Sequence, residues 1–130
     1  MWLFTRYGFY SIACASRPNG SIDPGTVMIR ARRAAHLRNL QERFPALAGA
    51  ELATSPNRDY RYRLIVSKET WVAALSELGR EQDWANFKNE VARFNGRDDY
   101  EAALHRIWKV MYSVQTDEVT HETAAQRRVK

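Results

Sequence analysis

Disulfide bonds are the first thing this chain of 130 residues lacks, because it contains a single cysteine, Cys14. No staple that depends on an oxidising compartment can hold the fold. Long apolar runs are missing as well. None approaches the roughly 20 residues that a membrane-spanning helix needs, which argues against a membrane partner. The opening residues also lack the order of a secretory signal, a basic segment followed by an uninterrupted apolar one. Ser11-Ile12-Ala13-Cys14 has the outline of a lipoprotein cleavage box, but Arg6 sits inside the would-be apolar stretch and Tyr7, Gly8 and Tyr10 dilute it. A β-strand carrying a small buried cysteine is expected there. Asn19-Gly20-Ser21 fits an Asn-Gly turn better than a glycosylation site. A cytoplasmic protein is the expectation.

Linear signatures of chemistry are absent too. His36, His105 and His121 are dispersed, and none has a second ligand at metal spacing, so neither a metal site nor a cofactor is expected. The glycines are isolated and no Gly-Lys-Ser/Thr follows one, which excludes a phosphate-binding loop of that type. No Gly-x-Ser-x-Gly elbow occurs, and Cys14 has no adjacent basic activator. Asp98-Asp99 and Asp117-Glu118 are neighbours along the chain. Adjacent residues do not face one catalytic centre, and the first pair stands where a helix cap belongs. His105, beside an apolar helical stripe, reads as a boundary residue before it reads as a general base.

Aromatic residues and arginine are what the chain has in quantity. Four Trp, six Tyr and five Phe argue for a folded domain and against disorder. Sixteen of the twenty basic residues are Arg, and the net charge is +5. That charge is uneven. Residues 1–68 carry eleven basic and four acidic side chains, a net +7, while 69–130 carry nine and eleven, a net −2.

Residues 2–15 are rich in aromatic and β-branched types and end in turn formers, Arg17-Pro18-Asn19-Gly20-Ser21 and Asp23-Pro24-Gly25. Val27, Ile29 and Ala31 then alternate with Met28, Arg30 and Arg32, which completes a long predicted hairpin. Leu37, Leu40 and Phe44 mark a helix that Pro45 ends. Ala50 to Thr54 is a short strand candidate. From Arg58 to Ser67 the period is two, with Tyr60, Tyr62, Leu64 and Val66 on one side and Arg61 and Arg63 on the other.

Three helices follow. Ser67 caps the first, with Trp71, Leu75 and Leu78 inside and Gly79 as its stop. Asp83 is the expected cap of the second, which carries Trp84, Phe87, Val91 and Phe94. Asp98 or Asp99 caps the last, whose stripe is Tyr100, Leu104, Ile107, Trp108, Met111 and Val114. The pattern fades after Gln115, so the sequence predicts one domain over 1–115 and a frayed or disordered polar tail over 116–130. The order ββαββααα predicts an α+β fold, a four-stranded antiparallel sheet from two hairpins with helices on one face. It equals a ferredoxin-like unit with its last strand moved to the front and two helices added.

If the apolar strand positions meet the helices, Arg30, Arg32, Arg61 and Arg63 point the other way. In the first strand, the phase of Arg6 brings out Trp2, Phe4 and Tyr10. Rings interleaved with guanidinium groups suit single-stranded nucleic acid, since bases stack on the rings and Arg pairs with phosphates. The predicted role is a non-enzymatic binding module for nucleic acid or a nucleic-acid-handling complex, such as a ribonucleoprotein. Two alternatives stay open. One is an accessory or inhibitor protein docking on a protein partner, for example a phage-related counter-defence factor. The other is a metal-independent RNase using Tyr7, Tyr60, Tyr62 or His36 near the Arg cluster. The Arg/Lys-Gly-Phe-Gly-Phe-Val signature of RNA-recognition motifs is absent. On the last helix, Tyr100, Leu104, Trp108 and Met111 form a candidate homodimer interface.

Three stretches carry a resemblance: Met1-Trp2-Leu3-Phe4-Thr5-Arg6-Tyr7-Gly8-Phe9-Tyr10-Ser11, Asp59-Tyr60-Arg61-Tyr62-Arg63-Leu64-Ile65-Val66-Ser67, and the segment from Asn86-Phe87-Lys88 to His105-Arg106-Ile107-Trp108-Lys109-Val110-Met111-Tyr112. They resemble a family of small uncharacterised bacterial proteins of similar size, over about residues 1–115. The resemblance implies no activity, cofactor or site residue.

Overall fold

The first strand ends sooner than its composition suggests. In the computed structural model, which describes residues 1–128, β1 (Trp2–Thr5) turns back at Arg6-Tyr7 into β2 (Gly8–Ser16). Thr5 closes this turn with its side chain. Its Oγ1 accepts from the backbone N–H of Tyr7 at 3.0 Å and of Gly8 at 3.2 Å, and donates to the Gly8 carbonyl at 3.1 Å. Hydroxyl-closed turns of this kind replace backbone bonds that strand pairing cannot supply.

The predicted Asn-Gly turn lies between β2 and β3 (Ile22–Ala31), with Gly20 at φ 85°. Asp23-Pro24-Gly25, expected to belong to that turn, falls inside β3. It coincides with a shift in the β2–β3 register between Cys14 and Ala15, as expected of a proline that has no N–H for the ladder. Helix α1 (Ala34–Arg43) ends before Pro45, which opens a 3-10 turn over Pro45–Leu47. Then come β4 (Ala53–Thr54), β5 (Tyr62–Ser67) and α2 (Lys68–Arg80), the last capped by Ser67, whose Oγ accepts from Thr70 N–H at 3.1 Å.

The fold is α+β, as expected, but the antiparallel sheet has five strands in the order β1-β2-β3-β5-β4, and not four. Residues 2–15 hold two strands because the Thr5 turn divides them. The predicted last strand is shorter: residues 58–61 form a loop and only Tyr62–Ser67 pair.

Tyr10, Ile12, Val27, Ile29, Leu64 and Val66 from three strands are buried together with Leu37 and Leu40 of α1 and Trp71 and Ala74 of α2. Both helices therefore cover the same side of the sheet. Truncating a fully buried leucine here, such as Leu64, removes roughly 2–5 kcal/mol of stability.

A buried ionic cluster ties the first turn to the ends of α1 and α2. The Tyr7 hydroxyl donates to Glu81 Oε1 at 2.7 Å and accepts from Arg6 and from Arg43 Nε at 3.2 Å. Arg43 Nη2 lies 2.7 Å from Glu81 Oε2, an ion pair within the cluster. Burial, reinforced by the bond to Glu81, pushes the Tyr7 phenol above its ordinary range near 10 against the opposing pull of Arg6 and Arg43. The unfolded chain loses this proton first on a rise in pH. Stability linked to Tyr7 is thus complete below about pH 10 and declines above it. Denaturant titrations at pH 8 and pH 10.5 should show a smaller loss in Tyr7→Phe than in the parent; an equal loss overturns this assignment.

The chain divides into two compact units, residues 1–85 and the residues from Asn86 onward, where the pattern alone predicts one domain over 1–115. The second unit consists of α3 (Phe87–Asn95) and α4 (Asp99–Arg128). Asn86, not Asp83, caps α3, with Oδ1 accepting from Asn89 N–H at 3.0 Å. Gly96 stops it at φ 75°. Asp98 caps α4, accepting from Glu101 N–H at 2.9 Å. The expected polar tail is helical through Arg128, and residues 129 and 130 lie outside the described residues. Past Gln115 the stripe fades, but there is no glycine or proline, and helix formers such as Ala124, Ala125 and Gln126 continue the backbone pattern. Among the described residues, no helix is long and apolar enough to cross a membrane.

Candidate functional site

Strand pairing decides which side chains share the side of the sheet opposite α1 and α2, because directly opposed residues project the same way. Trp2 opposes Ser11, Phe4 opposes Phe9, Ser11 opposes Arg30, Arg30 opposes Arg63, and Met28 opposes Ile65. The open side accordingly carries an aromatic end and a guanidinium end. Trp2, 69% exposed, sits edge-on to Phe9 at 5.8 Å between ring centroids. Phe4 stacks on Phe9 at 4.5 Å, and Phe9 in turn lies 6.3 Å from Tyr60.

Tyr60 is where the two ends meet. It does not occupy the core side of a strand, as the alternation predicts, but stands buried in the loop before β5. The guanidinium carbons of Arg30 and Arg32 lie 5.1 and 4.7 Å from its ring centroid, an electrostatic attraction to the ring face. Arg32 also reaches Asp59 at 3.0 Å, with both side chains exposed, so that pair adds little stability.

Beneath this loop the sheet forms a recess of about 540 Å³, lined by Met28, Arg30, Arg63 and Ile65 from the sheet and by Arg58, Asp59 and Tyr60 from the loop. Arg30 donates through Nη2 to Ser11 Oγ at 2.9 Å, and Arg63 through Nη2 to the Tyr60 carbonyl at 3.3 Å. The Arg63 Nε is buried and has no hydrogen-bond partner. Like charges directly opposed across strands destabilise a sheet by roughly 0.2–1 kcal/mol. An unmade bond to a buried donor costs about 1–3 kcal/mol more. No carboxylate bridges Arg30 and Arg63 among the described residues. An anion placed between them would remove the first of these penalties.

The predicted binding residues are thus gathered only in part. Trp2, Phe4, Arg30 and Arg63 share the open side, and Arg32 stands at its margin. Tyr10 does not: it is fully buried on the core side, with its hydroxyl donating to the His36 carbonyl at 2.6 Å. Arg6 is in the turn, 3.4 Å from Glu81 and over the Trp84 ring. Both departures have one cause, since the Arg6-Tyr7 turn reverses the chain and resets the alternation. Arg61 is exposed and stands over Tyr62, 5.9 Å from its centroid, outside the recess. Phe9, Arg58, Asp59 and the true place of Tyr60 are what pattern reasoning missed. Reading Thr5-Arg6-Tyr7-Gly8 as a two-residue hairpin turn would have recovered Phe9.

The bases considered for RNA cleavage lie at different places. Tyr7 is held in the Glu81 cluster and Tyr62 is on the core side of β5, opposite Ala31. His36 accepts from Phe9 N–H through Nδ1 at 3.3 Å, which leaves its proton on Nε2. Tyr60 is the one at the recess.

On α4, the candidate interface residues also divide. Tyr100 and Leu104 are buried within the monomer, whereas Trp108 and Met111 are 55% and 60% exposed. Trp108 stacks on Tyr112 at 5.4 Å and lies under the Lys88 ammonium at 4.4 Å. His105 pairs with Glu101. Among the described residues no group of three His, Cys, Asp or Glu could hold a metal ion. No family model, curated protein or solved structure matches the chain.

Proposed function

We propose that this protein is a cytoplasmic, non-enzymatic binding module whose open sheet side takes single-stranded nucleic acid, alone or within a nucleic-acid-handling complex. One observation carries the reading: Arg30 and Arg63 are directly opposed in a recess that supplies them no carboxylate partner, next to a row of rings. Phosphates satisfy the guanidinium groups, and the exposed Trp2 offers a platform on which a base gains about 1–3 kcal/mol. Strand order adds support. The sheet order is β1-β2-β3-β5-β4, and we read β2-β3-β5-β4 with α1 and α2 as a ferredoxin-like unit whose last strand leads, β1 being an extra edge strand. Sheets of four antiparallel strands backed by two helices are a known platform for splayed-out bases.

Fluorescence anisotropy with labelled single-stranded RNA and DNA at 50 and 200 mM salt tests the proposal. Binding should weaken with salt, with a logarithmic slope of about −0.7 per phosphate contacted. No binding at low salt, or binding indifferent to salt, overturns it.

The exposed apolar side of α4 favours a second reading, in which the helix docks on protein, a second copy of this chain first of all. Trp108, Val110, Met111 and Val114 are all more than half exposed, and exposed apolar clusters of this kind mark interaction sites. Sedimentation velocity should then reveal a dimer growing with concentration that Trp108→Ser abolishes. A monomer at all concentrations overturns self-association, and one stoichiometric partner recovered after nuclease treatment supports the docking of an accessory or inhibitor protein instead.

A further inference from the structure

We infer that the recess under the Asn57–Tyr60 loop is a seat for a phosphomonoester, the terminal phosphate of a nucleic-acid strand or of a free nucleotide. This rests on the nucleic-acid reading above and narrows it. Charge is the first argument. Arg30, Arg58 and Arg63 line the recess against one carboxylate, Asp59, a local balance of +2. A phosphomonoester carries about −1.5 to −2 at pH 7, whereas an internal phosphodiester carries only one negative charge. Two guanidinium groups held opposite each other call for the dianion.

Shape is the second argument. The recess is walled on one side by a loop that is not part of the sheet, which suits a chain end better than a strand passing through. Its volume of about 540 Å³ falls within the roughly 300–1,000 Å³ of small-molecule sites and exceeds what bare phosphate fills. Met28 and Ile65 supply an apolar floor beside the donors, as a nucleoside attached to the phosphate requires. Donor supply is the third argument. Arg63 spends Nη2 on the Tyr60 carbonyl and its Nε is buried, so the plane is fixed and Nη1 is left to meet an oxyanion. Arg30 is held by Ser11 through Nε and Nη2, which orients its plane and leaves Nη1 to donate. Tyr60 carries Arg30 and Arg32 on its ring, so it orders the donors and is not a stacking platform itself.

Three versions of one single-stranded RNA octamer test this: a 5′-phosphate, a 3′-phosphate and no terminal phosphate, each labelled away from the phosphate. A nucleoside monophosphate serves as competitor. At pH 7.5 one terminal phosphate should tighten binding by about tenfold, as two charge-assisted bonds allow. The advantage should shrink at pH 5.5, below the second phosphate ionisation near 6. Arg63→Gln should weaken both strands and remove the advantage, so that phosphorylated and unphosphorylated strands bind alike, with a melting temperature equal to or above that of the parent. If that variant melts lower, the exposed Arg58→Gln takes its place with the same expected loss. Strands bound equally with and without the phosphate overturn the seat but leave the nucleic-acid reading standing. A mononucleotide bound where no strand binds keeps the seat, assigns it to free nucleotide, and overturns the nucleic-acid reading. Neither ligand binding overturns both.

Discussion

Replacing both Arg30 and Arg63 by glutamine is expected to weaken single-stranded RNA binding by about a hundredfold near 100 mM salt, at roughly 1.5 kcal/mol for each charged hydrogen bond lost. The slope of affinity against salt should fall in magnitude by about 1.4, two phosphate contacts at 0.7 each. The same double variant should be as stable as the parent or more so. In the free protein these two side chains oppose each other across β3 and β5 with no carboxylate between them, and glutamine ends that repulsion while keeping much of the volume. Binding and stability moving in opposite directions would mark a surface kept for its ligand at the expense of the fold. Arg61→Gln is the control. It removes the same charge from the same neighbourhood of sequence, but its side chain stands over Tyr62 and outside the recess. Its effect should stay within about threefold, the size of a general electrostatic contribution. Equal losses from Arg61 and from the Arg30–Arg63 pair would mean that charge alone binds, and the recess would lose its role.

Gly8→Ala carries the largest expected effect on stability, a loss of about 3 kcal/mol from backbone strain and overpacking together. Gly8 sits at φ 151°, which side chains rarely adopt, and a Cβ there would lie 2.3 Å from His36 Cγ. His36 cannot easily move away, because its Nδ1 accepts from Phe9 N–H and its carbonyl accepts from the Tyr10 hydroxyl. The chemical denaturation midpoint should therefore fall sharply, whereas Gly49→Ala, which meets nothing within 4 Å, should leave it nearly unchanged. A double-mutant cycle separates the two causes. His36→Ala in the Gly8→Ala background should restore part of the loss, since the clash disappears and the backbone strain does not. Zero coupling between the two positions would rule out the overlap as a cause. Phe9 follows Gly8 directly, so the same variant should also disturb the ring row, and binding should fall with stability.

Much of the sheet could be read from residue types. Val27, Ile29, Leu64 and Val66 fall on the core side because period-two alternation within an uninterrupted strand is a local property of the backbone. Ser67 and Asp98 cap helices where their side chains predict, again through contacts three residues away. Alternation failed where the first strand is interrupted. Arg6-Tyr7 contains none of the usual Asn-Gly or Asp-Gly turn pairs, and the groups that make the turn are the Thr5 hydroxyl and the conformation of Gly8. The reversal put Tyr10 in the core, brought Phe9 out beside Phe4, and took Arg6 to Glu81, 75 positions further along the chain. In the later strand, loop residues 58–61 continued the alternating pattern without pairing, so Tyr60 and Arg61 left the sides assigned to them.

From the sequence alone follow the α+β class, the two helices packed on one side of an antiparallel sheet, the basic bias of the first half, and Arg30 and Arg63 on the open side. Each depends on local periodicity and on burial of apolar surface, which act within a few residues. Tertiary structure alone decided the fifth strand, the opposition of Arg30 to Arg63, the buried Arg63 Nε and the recess beneath the loop. The fifth strand comes from the turn that the Thr5 hydroxyl closes; the others depend on register between segments more than 30 residues apart, and a pairing register is a property of two strands together that neither carries by itself.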